Sequence, residues 1–407
     1  MLGGTGLAFG VVRSTRPSAM SDSPQPNSSA APRDRTRALA AAIAALWVLA
    51  IIGATVQQGG THQHNNFLIF RAASRHLIAG SDLYTLYPAE HADLYKYSPT
   101  FALLFAPFAF LPLLPAMFLW NAVNAGALFI ALGMVLPRRA ATVARAIVFL
   151  DMLGSLQNAQ SNALVAALIV FTFAAYERHH TALGSLAAVG GAFIKAFPLA
   201  GVSFAIFHPR KVRVALAVVA AGVLLLLLPL LVTPPHTLLA QYASWRALSA
   251  SEVAVKRGYS VMQMLENVLH GGWPNWPIQL LGIAILLAPV LFQRDRWHEW
   301  ERRRLYLCSV LVFCVIFNHL AESPTFVVAL SGVAIWFAAL AKPSRWEWTL
   351  FAAIVVLTIL SSSDAMPDAI QRDFFDRYRF KTVPLIVLWI ELQRRLWSAG
   401  VREAKLL

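Results

Sequence analysis

Uncharged apolar runs recur along almost the whole chain, separated by short clusters of basic residues, and this alternation decides which folds are open to it. Runs such as LAAAIAALWVLAIIGATV (39–56) and VALAVVAAGVLLLLLPLLV (214–232) are long enough to enter a hydrocarbon layer about 30 Å thick. With 58% apolar and only 13% charged residues, a chain of 407 residues cannot cover itself with water-facing side chains as a soluble enzyme does. It reads as an all-α, polytopic integral membrane protein. Cys308 and Cys314 fall within one apolar run, a spacing that suits neither a disulfide framework nor a zinc site, so both read as packing residues.

The formal charge of +14 does not read as affinity for nucleic acid, because the basic residues form short clusters between apolar runs rather than one stripe. RDRTR (33–37), RR (138–139), ERHH (177–180), HPRKVR (208–213), RDRWHEWERRR (294–304), KPSR (342–345) and QRR (393–395) all suit cytoplasmic edges of membrane segments. Counting apolar runs with these clusters inside predicts about 12 membrane segments with both termini cytoplasmic. Residues 1–37 are polar and rich in Ser and Pro, which predicts a disordered tail, with Met20 as an alternative start. Residues 38–397 form a single multi-span domain with outer loops at 58–97, 234–275 and 361–381, and 398–407 form a cytoplasmic tail. The run at 39–56 reads as a retained first span rather than a cleaved signal.

Local patterns refine this outline. NNFLIFRAASRHLIAG places Phe67, Phe70, Ala73 and Leu77 on one helical side and Arg71, Ser74 and Arg75 on the other, predicting a helix in the membrane interface. Residues 98–136 are apolar but interrupted at Pro99, Pro107, Pro112 and Pro115, which allows one broken span or three short ones. In 146–176 two apolar halves flank the polar core QNAQSN, and both ends are basic; a hairpin with its polar tip on the outer side follows. Residues 181–207, with Lys195 and Pro198 in the middle, are too few for two full spans and predict two half-helices.

This topology collects the polar residues of the apolar runs on the outer face: Asn66, Arg71, Glu90, Asp93, Lys96, Gln157, Asn158, Gln160, Asn162, Lys195, Arg257, His319 and Glu322. An ammonium in an apolar run is costly unless it meets an anion or reaches the surface, so Lys195 reads either as snorkelling or as a phosphate ligand. Glu322, just before Pro324, reads either as a helix cap or as a functional carboxylate. The QNAQSN tip serves either the backbone of its own turn or a substrate hydroxyl. Asp151 lies inside an apolar half-helix and is expected to pair with Arg145. No Walker, dinucleotide-binding, HExxH or GxSxG motif is present, so neither nucleotide hydrolysis nor metal or redox chemistry is expected.

The order YKYSPTFALLFAPFAFLP, then LQNAQSNALVAALIVFTFAAYERHHTALGSLAAVGGAFIKAFP, resembles glycosyltransferase family 87. These are bacterial multi-span enzymes of GT-C fold that include polyprenyl-phosphate-mannose-dependent mannosyltransferases. The resembling blocks are Tyr97 to Pro112, Ala159 to Asn162 and Lys195 to Pro198, within residues 60–215. Two positions depart from the family pattern: Asn66 stands where members carry an aspartate base, and Ala159 stands for the tip glycine.

The resemblance implies transfer of a hexose from a polyprenyl-phosphate sugar donor to a glycolipid or glycan outside the cytoplasm of a bacterial inner membrane, without a cofactor or metal. With Asn66 unable to take a proton, Glu322, then Glu90, then Asp93, are the candidate bases. Lys195, Arg71, Arg257 and Lys96 would meet the donor phosphate, and Asn66, Gln157, Asn158, Gln160, Asn162 and His319 the sugar or acceptor. Two other readings stay open: a lipid or sugar transporter, and a non-catalytic glycan-assembly protein of the same fold.

Overall fold

The computed structural model describes residues 31–61, 64–252, 258–362, 375 and 379–398, and the regular elements among them are all helices. Helix α1 (Ala31–Thr61) begins within the segment expected to be a tail. Pro32 is compatible with a first turn, and nothing in RDRTRALA stops the helix from running on into the first apolar stretch. The rest of the N-terminal tail and the C-terminal residues 399–407 lie outside the described residues, as does most of the expected outer segment 361–381.

Helix α2 (Asn65–Ala79) stops at Gly80, whose φ of 75° is the left-handed conformation of a helix-terminating glycine. Its apolar side is where the periodicity puts it, with Phe67, Phe70, Ala73 and Leu77 buried. That side docks on protein: Phe70 meets the rings of Tyr97, Phe101, Phe105 and Trp120 at centroid distances of 4.9 to 6.0 Å. Ser74, expected on the polar side, is buried as well.

The prolines of 98–136 resolve into two short helices, α3 (Pro99–Leu104) and α4 (Ala106–Ala109), followed by one long helix, α5 (Leu113–Val135). Helices α6 (Arg138–Ile147) and α7 (Phe149–Gln157) are bent by 51°. A polar turn then leads into α8 (Asn162–Glu177), the expected hairpin. The two half-helices of 181–207 are α9 (Thr181–Ile194) and a 3-10 helix, Phe197–Phe207, separated where Pro198 withholds a backbone donor.

Helix α10 (Lys211–Leu227) precedes α11 (Pro235–Glu252) and α12 (Val261–Leu269), which give helical order to the expected loop 234–275. Helices α13 (Asn275–Phe292) and α14 (Trp300–Ile316) follow. A 3-10 turn, Ser323–Thr325, opens into α15 (Phe326–Ala338). Helix α16 (Arg345–Ile354) continues through a π-helical turn, Val355–Ile359, and α17 (Val383–Trp397) is the last helix described.

Four segments are long and apolar enough to cross a membrane alone: Arg35–Thr61, Leu113–Val135, Lys211–Leu231 and Asn275–Phe292; the bent α6–α7 pair would be a fifth. The expectation of about 12 segments therefore rests on helices too short to cross singly, such as Asn162–Glu177 and Thr181–Ile194. Exposure separates the two kinds. Helix α10 turns Val212, Leu216, Val219 and Val223 outwards, as a lipid-facing helix does, whereas every residue of α15 from Phe326 to Phe337 is buried.

Helices α14 and α15 pack closely at the centre. A side chain on Gly332 would come within 2.8 Å of the Cys308 carbonyl oxygen, so this contact is open only to glycine. Cys308 and Cys314 are both free and buried.

At the end of the bundle expected to be cytoplasmic, basic residues also close helix ends. Arg302, 2% exposed, donates to the carbonyls of Leu396, in the last turn of α17, and of Ser398 just past it, and Arg296 donates to Ser398 at 2.9 Å. Glu299 neutralises both arginines, at 2.6 and 3.3 Å. Burial works against its charge, but hydrogen bonds from Arg296 and Arg302 outweigh it and hold the carboxyl below its ordinary value.

Two expectations follow. Gly332→Val should separate α14 from α15 and destabilise the protein by about 1–3 kcal/mol, read as a lower thermal midpoint in detergent. Glu299→Gln should lower the midpoint at neutral pH. A carboxyl depressed by folding contributes stability above its unfolded value of about 4.5 and loses it as the pH falls through its folded value, so the gap between mutant and wild type should close at lower pH.

Candidate functional site

The polar turn between α7 and α8 is built as a helix-terminating motif. Gln160 N–H donates to the Ser155 carbonyl at 3.1 Å and Ala159 N–H to the Leu156 carbonyl at 2.7 Å, with Ala159 left-handed at φ 51°. That position ordinarily favours glycine, since a side chain there costs about 1–2 kcal/mol. Surrounding bonds hold the turn nonetheless. Trp120 donates to the Ala159 carbonyl at 3.0 Å, and Gln58 donates to the carbonyls of Leu156 and Gln157 at 2.5 and 3.2 Å. Asn121 in turn donates to Gln58 Oε1 at 3.0 Å.

The turn points Gln160 and Asn162 at two charged groups that are remote in sequence. Lys195, at the end of α9 where the helix gives way to extended backbone, donates from Nζ to Asn162 Oδ1 at 2.7 Å and to Gln160 Oε1 at 3.3 Å. Asn162 also donates to Gln160 Oε1, at 2.7 Å. The other end of the same amide, Gln160 Nε2, donates to Glu322 Oε2 at 3.0 Å. One amide thus joins an ammonium to a carboxylate. Lys195 Nζ also lies 5.9 Å from the ring centre of Tyr97.

Glu322 occupies the residue before the 3-10 turn, where its backbone N–H donates to Thr325 Oγ1 at 3.3 Å, so the expected capping position and the site coincide. It is exposed, unlike the buried Gln160 and Asn162. Its charge acts on both Lys195 and Lys96. Lys96 pairs with Glu252 at 2.9 Å; burial opposes its charge, but the Glu252 bond prevails and raises the ammonium above its ordinary value. His319 also lies against Glu252, and burial outweighs that carboxylate to hold the imidazole below its usual value.

Other predicted residues border the turn or stand apart from it. Asn66 donates to the Asn158 carbonyl at 2.9 Å, so the start of α2 abuts the turn, and Gln157 donates to Gln57 Oε1 at 2.7 Å. Asn158 Nδ2 bonds back to the Gly154 carbonyl. Glu90 pairs with His76 at 3.0 Å, and Asp93 accepts from the neighbouring Leu94 N–H. Arg71 donates Nε and Nη2 to the carbonyls of Ala109 and Leu111, bracing the end of α4. Arg257 lies outside the described residues.

The expected Asp151–Arg145 pair does not form. Arg145 donates twice to the Phe129 carbonyl and stacks on its ring, and the cation acting on Asp151 is Lys381. Six residues apart, the two would face different sides even of a straight helix, and a 51° bend lies between them.

Sequence reasoning missed Gln58, Asn121, Glu252 and Lys381. Asn121, with Asn124 one turn on, was visible as an amide pair in an otherwise apolar helix; the others carry no local signal.

A separate cavity of about 320 Å³ is lined by Tyr176, His179, Phe207, His208, Trp297 and Arg303, among others. It lies at the far end of α8, roughly 24 Å from Asn162 at 1.5 Å per residue, and takes no part in the Gln160 cluster. Among the described residues no group of three or more His, Cys, Asp or Glu side chains could hold a metal ion.

The family model for glycosyltransferase family 87 matches residues 95–324, more than half of the chain. The chain belongs to glycosyltransferase family 87. The match begins later than the expected resemblance at 60 and runs well past 215. It takes in Tyr97, the Gln160 turn, Lys195 and Glu322, but neither α2 nor Lys381. No curated protein matches the chain. Family membership and the apolar helices together make this a membrane glycosyltransferase.

For this family 87 glycosyltransferase, relief of backbone strain at the tip is directly measurable. Ala159→Gly should raise stability by up to about 1 kcal/mol, because glycine adopts the left-handed conformation without steric cost. Ala159→Val should lower it, and thermal unfolding of the two variants in detergent checks both directions.

Proposed function

We propose that the protein transfers a hexose such as mannose from a polyprenyl-phosphate sugar to a glycolipid or glycan hydroxyl on the outer side of a bacterial inner membrane, within a GT-C-like arrangement of membrane segments. The observation that carries this reading is the convergence of Lys195 and Glu322 on Gln160, across 127 residues of sequence (322 − 195). A cation beside a carboxylate is what phosphate departure and proton removal each need, and family membership supplies the reaction class.

In this mechanism the acceptor oxygen attacks the anomeric carbon as the bond from that carbon to the phosphate oxygen breaks. The bonding pair leaves on the polyprenyl phosphate, the configuration inverts, and the acceptor proton passes to Glu322. Lys195 stabilises the charge growing on the departing phosphate, with Lys96 as a second cation near the carboxylate. Asn162 and Gln160 hold Lys195 in place, and Asn66, Asn158 and His319 are available to sugar hydroxyls. Glu322 is preferred as base because it shares Gln160 with Lys195, whereas Glu90 bonds His76 and Asp93 its own chain neighbour.

The test is release of polyprenyl phosphate from polyprenyl-phosphate mannose by the purified protein in detergent with a glycolipid acceptor. Glu322→Gln should lower turnover by about 100-fold or more and Lys195→Met by about 10- to 1000-fold, while Glu90→Gln and Asp93→Asn retain most of it. Full turnover in Glu322→Gln would reject the assignment of the base. Movement of the sugar lipid across vesicles without bond cleavage would favour a transporter, and binding without either would favour a glycan-assembly protein.

A further inference from the structure

Lys381 is a lysine with only 3% of its surface exposed, in a 3-10 turn just before α17. It lies outside the family match and far in sequence from every residue of the proposed site. An ammonium withdrawn from water needs compensating partners. Lys381 Nζ donates to Ser323 Oγ at 2.7 Å and lies 4.3 Å from the centre of the Phe326 ring, so it grips both ends of the turn that Glu322 begins. Its own backbone is fixed, since Thr358 Oγ1 donates to the Lys381 carbonyl at 2.8 Å.

On another side is Asp151, in the middle of α7. Its Oδ2 is buried with no hydrogen-bond partner among the described residues, and Lys381 is the charge acting on it. Helix α7 is the element that ends in the Gln160 turn. The buried cation therefore fixes the Ser323 turn, whose preceding residue Glu322 accepts from Gln160 in the turn that follows α7.

We propose that Lys381 is a positioning residue, whose ammonium, bonded to Ser323, holds the Glu322 turn against the Gln160 turn so that the carboxylate faces the acceptor hydroxyl. The inference rests on the reading of Glu322 as base. Lys381 touches no reacting atom in this role; it acts through Ser323.

Because a positioning residue works through another group, its loss and the loss of that group are not additive. Turnover of polyprenyl-phosphate mannose is measured for wild type, Glu322→Gln, Lys381→Met, Ser323→Ala, Lys381→Arg and the double variant Glu322→Gln/Lys381→Met. Lys381→Met and Ser323→Ala should each lower kcat by about tenfold or more with KM within about twofold of wild type. Lys381→Arg, which keeps the charge and the donors, should recover most of the loss. In the Glu322→Gln background, Lys381→Met should cost less than about twofold.

Equal losses from Lys381→Met in both backgrounds would overturn the positioning role and leave Glu322 as base. Undiminished turnover in Glu322→Gln would instead overturn the base reading and the inference with it. Hydrogen exchange on the unliganded protein supplies a readout that needs no substrate. Lys381→Met should speed exchange of backbone amides at 320–325 and 156–161 together while the later turns of α8 keep their wild-type rates, and unchanged exchange at both turns would overturn the linkage.

Discussion

Away from water, a polar group is tolerable only where another polar group answers it, and the interior of this protein is organised around that constraint. Gln160 is where it acts most sharply. Its carbonyl end receives Lys195 and Asn162, and its amide end donates to Glu322, so a single neutral side chain is polarised between an ammonium and a carboxylate. Neither charged group needs direct contact with the other, which leaves Glu322 exposed on its free side. An arrangement that satisfies each partner while leaving the Glu322 residue exposed is compatible with a proton acceptor as well as with a structural bond.

The same constraint explains how much structure is spent on one short turn. The last carbonyls of α7 have no helical partners, and they are met by Gln58 from α1, which is itself held by Asn121 from α5. Trp120 takes the Ala159 carbonyl. Two helices, α1 and α5, thus converge on a backbone segment that holds an alanine in a conformation ordinarily left to glycine. At the opposite end of the bundle, arginines answer open carbonyls at the end of α17, so basic residues of the clusters between apolar runs also close helix ends.

Much of the helical layout was legible in the sequence because it follows from short-range periodicity and breakers. The apolar stripe of α2, the hairpin around QNAQSN and the division of 181–207 at Lys195 and Pro198 all appear where the pattern put them. The candidate site was legible in part: Gln160, Asn162, Lys195 and Glu322 stand out as polar residues in apolar surroundings. Their partners did not. Arg71 looks like a phosphate ligand by position but spends its donors on the carbonyls after α4, which a proline-broken segment leaves open. Asp151 looked paired with Arg145 by proximity, yet residues six apart do not share a helix face, and Arg145 turns to the Phe129 carbonyl.

Sequence alone determined the solvent this chain belongs in, its all-helical character and which polar residues are anomalous, since composition and periodicity are properties of neighbours along the chain. Tertiary structure decided which anomalies meet. The Gln160–Glu322 bond spans 162 residues and the Lys381–Ser323 bond 58, and no local rule sets such distances. They come from packing between elements, of which the close approach of α14 and α15 at Gly332 is one instance.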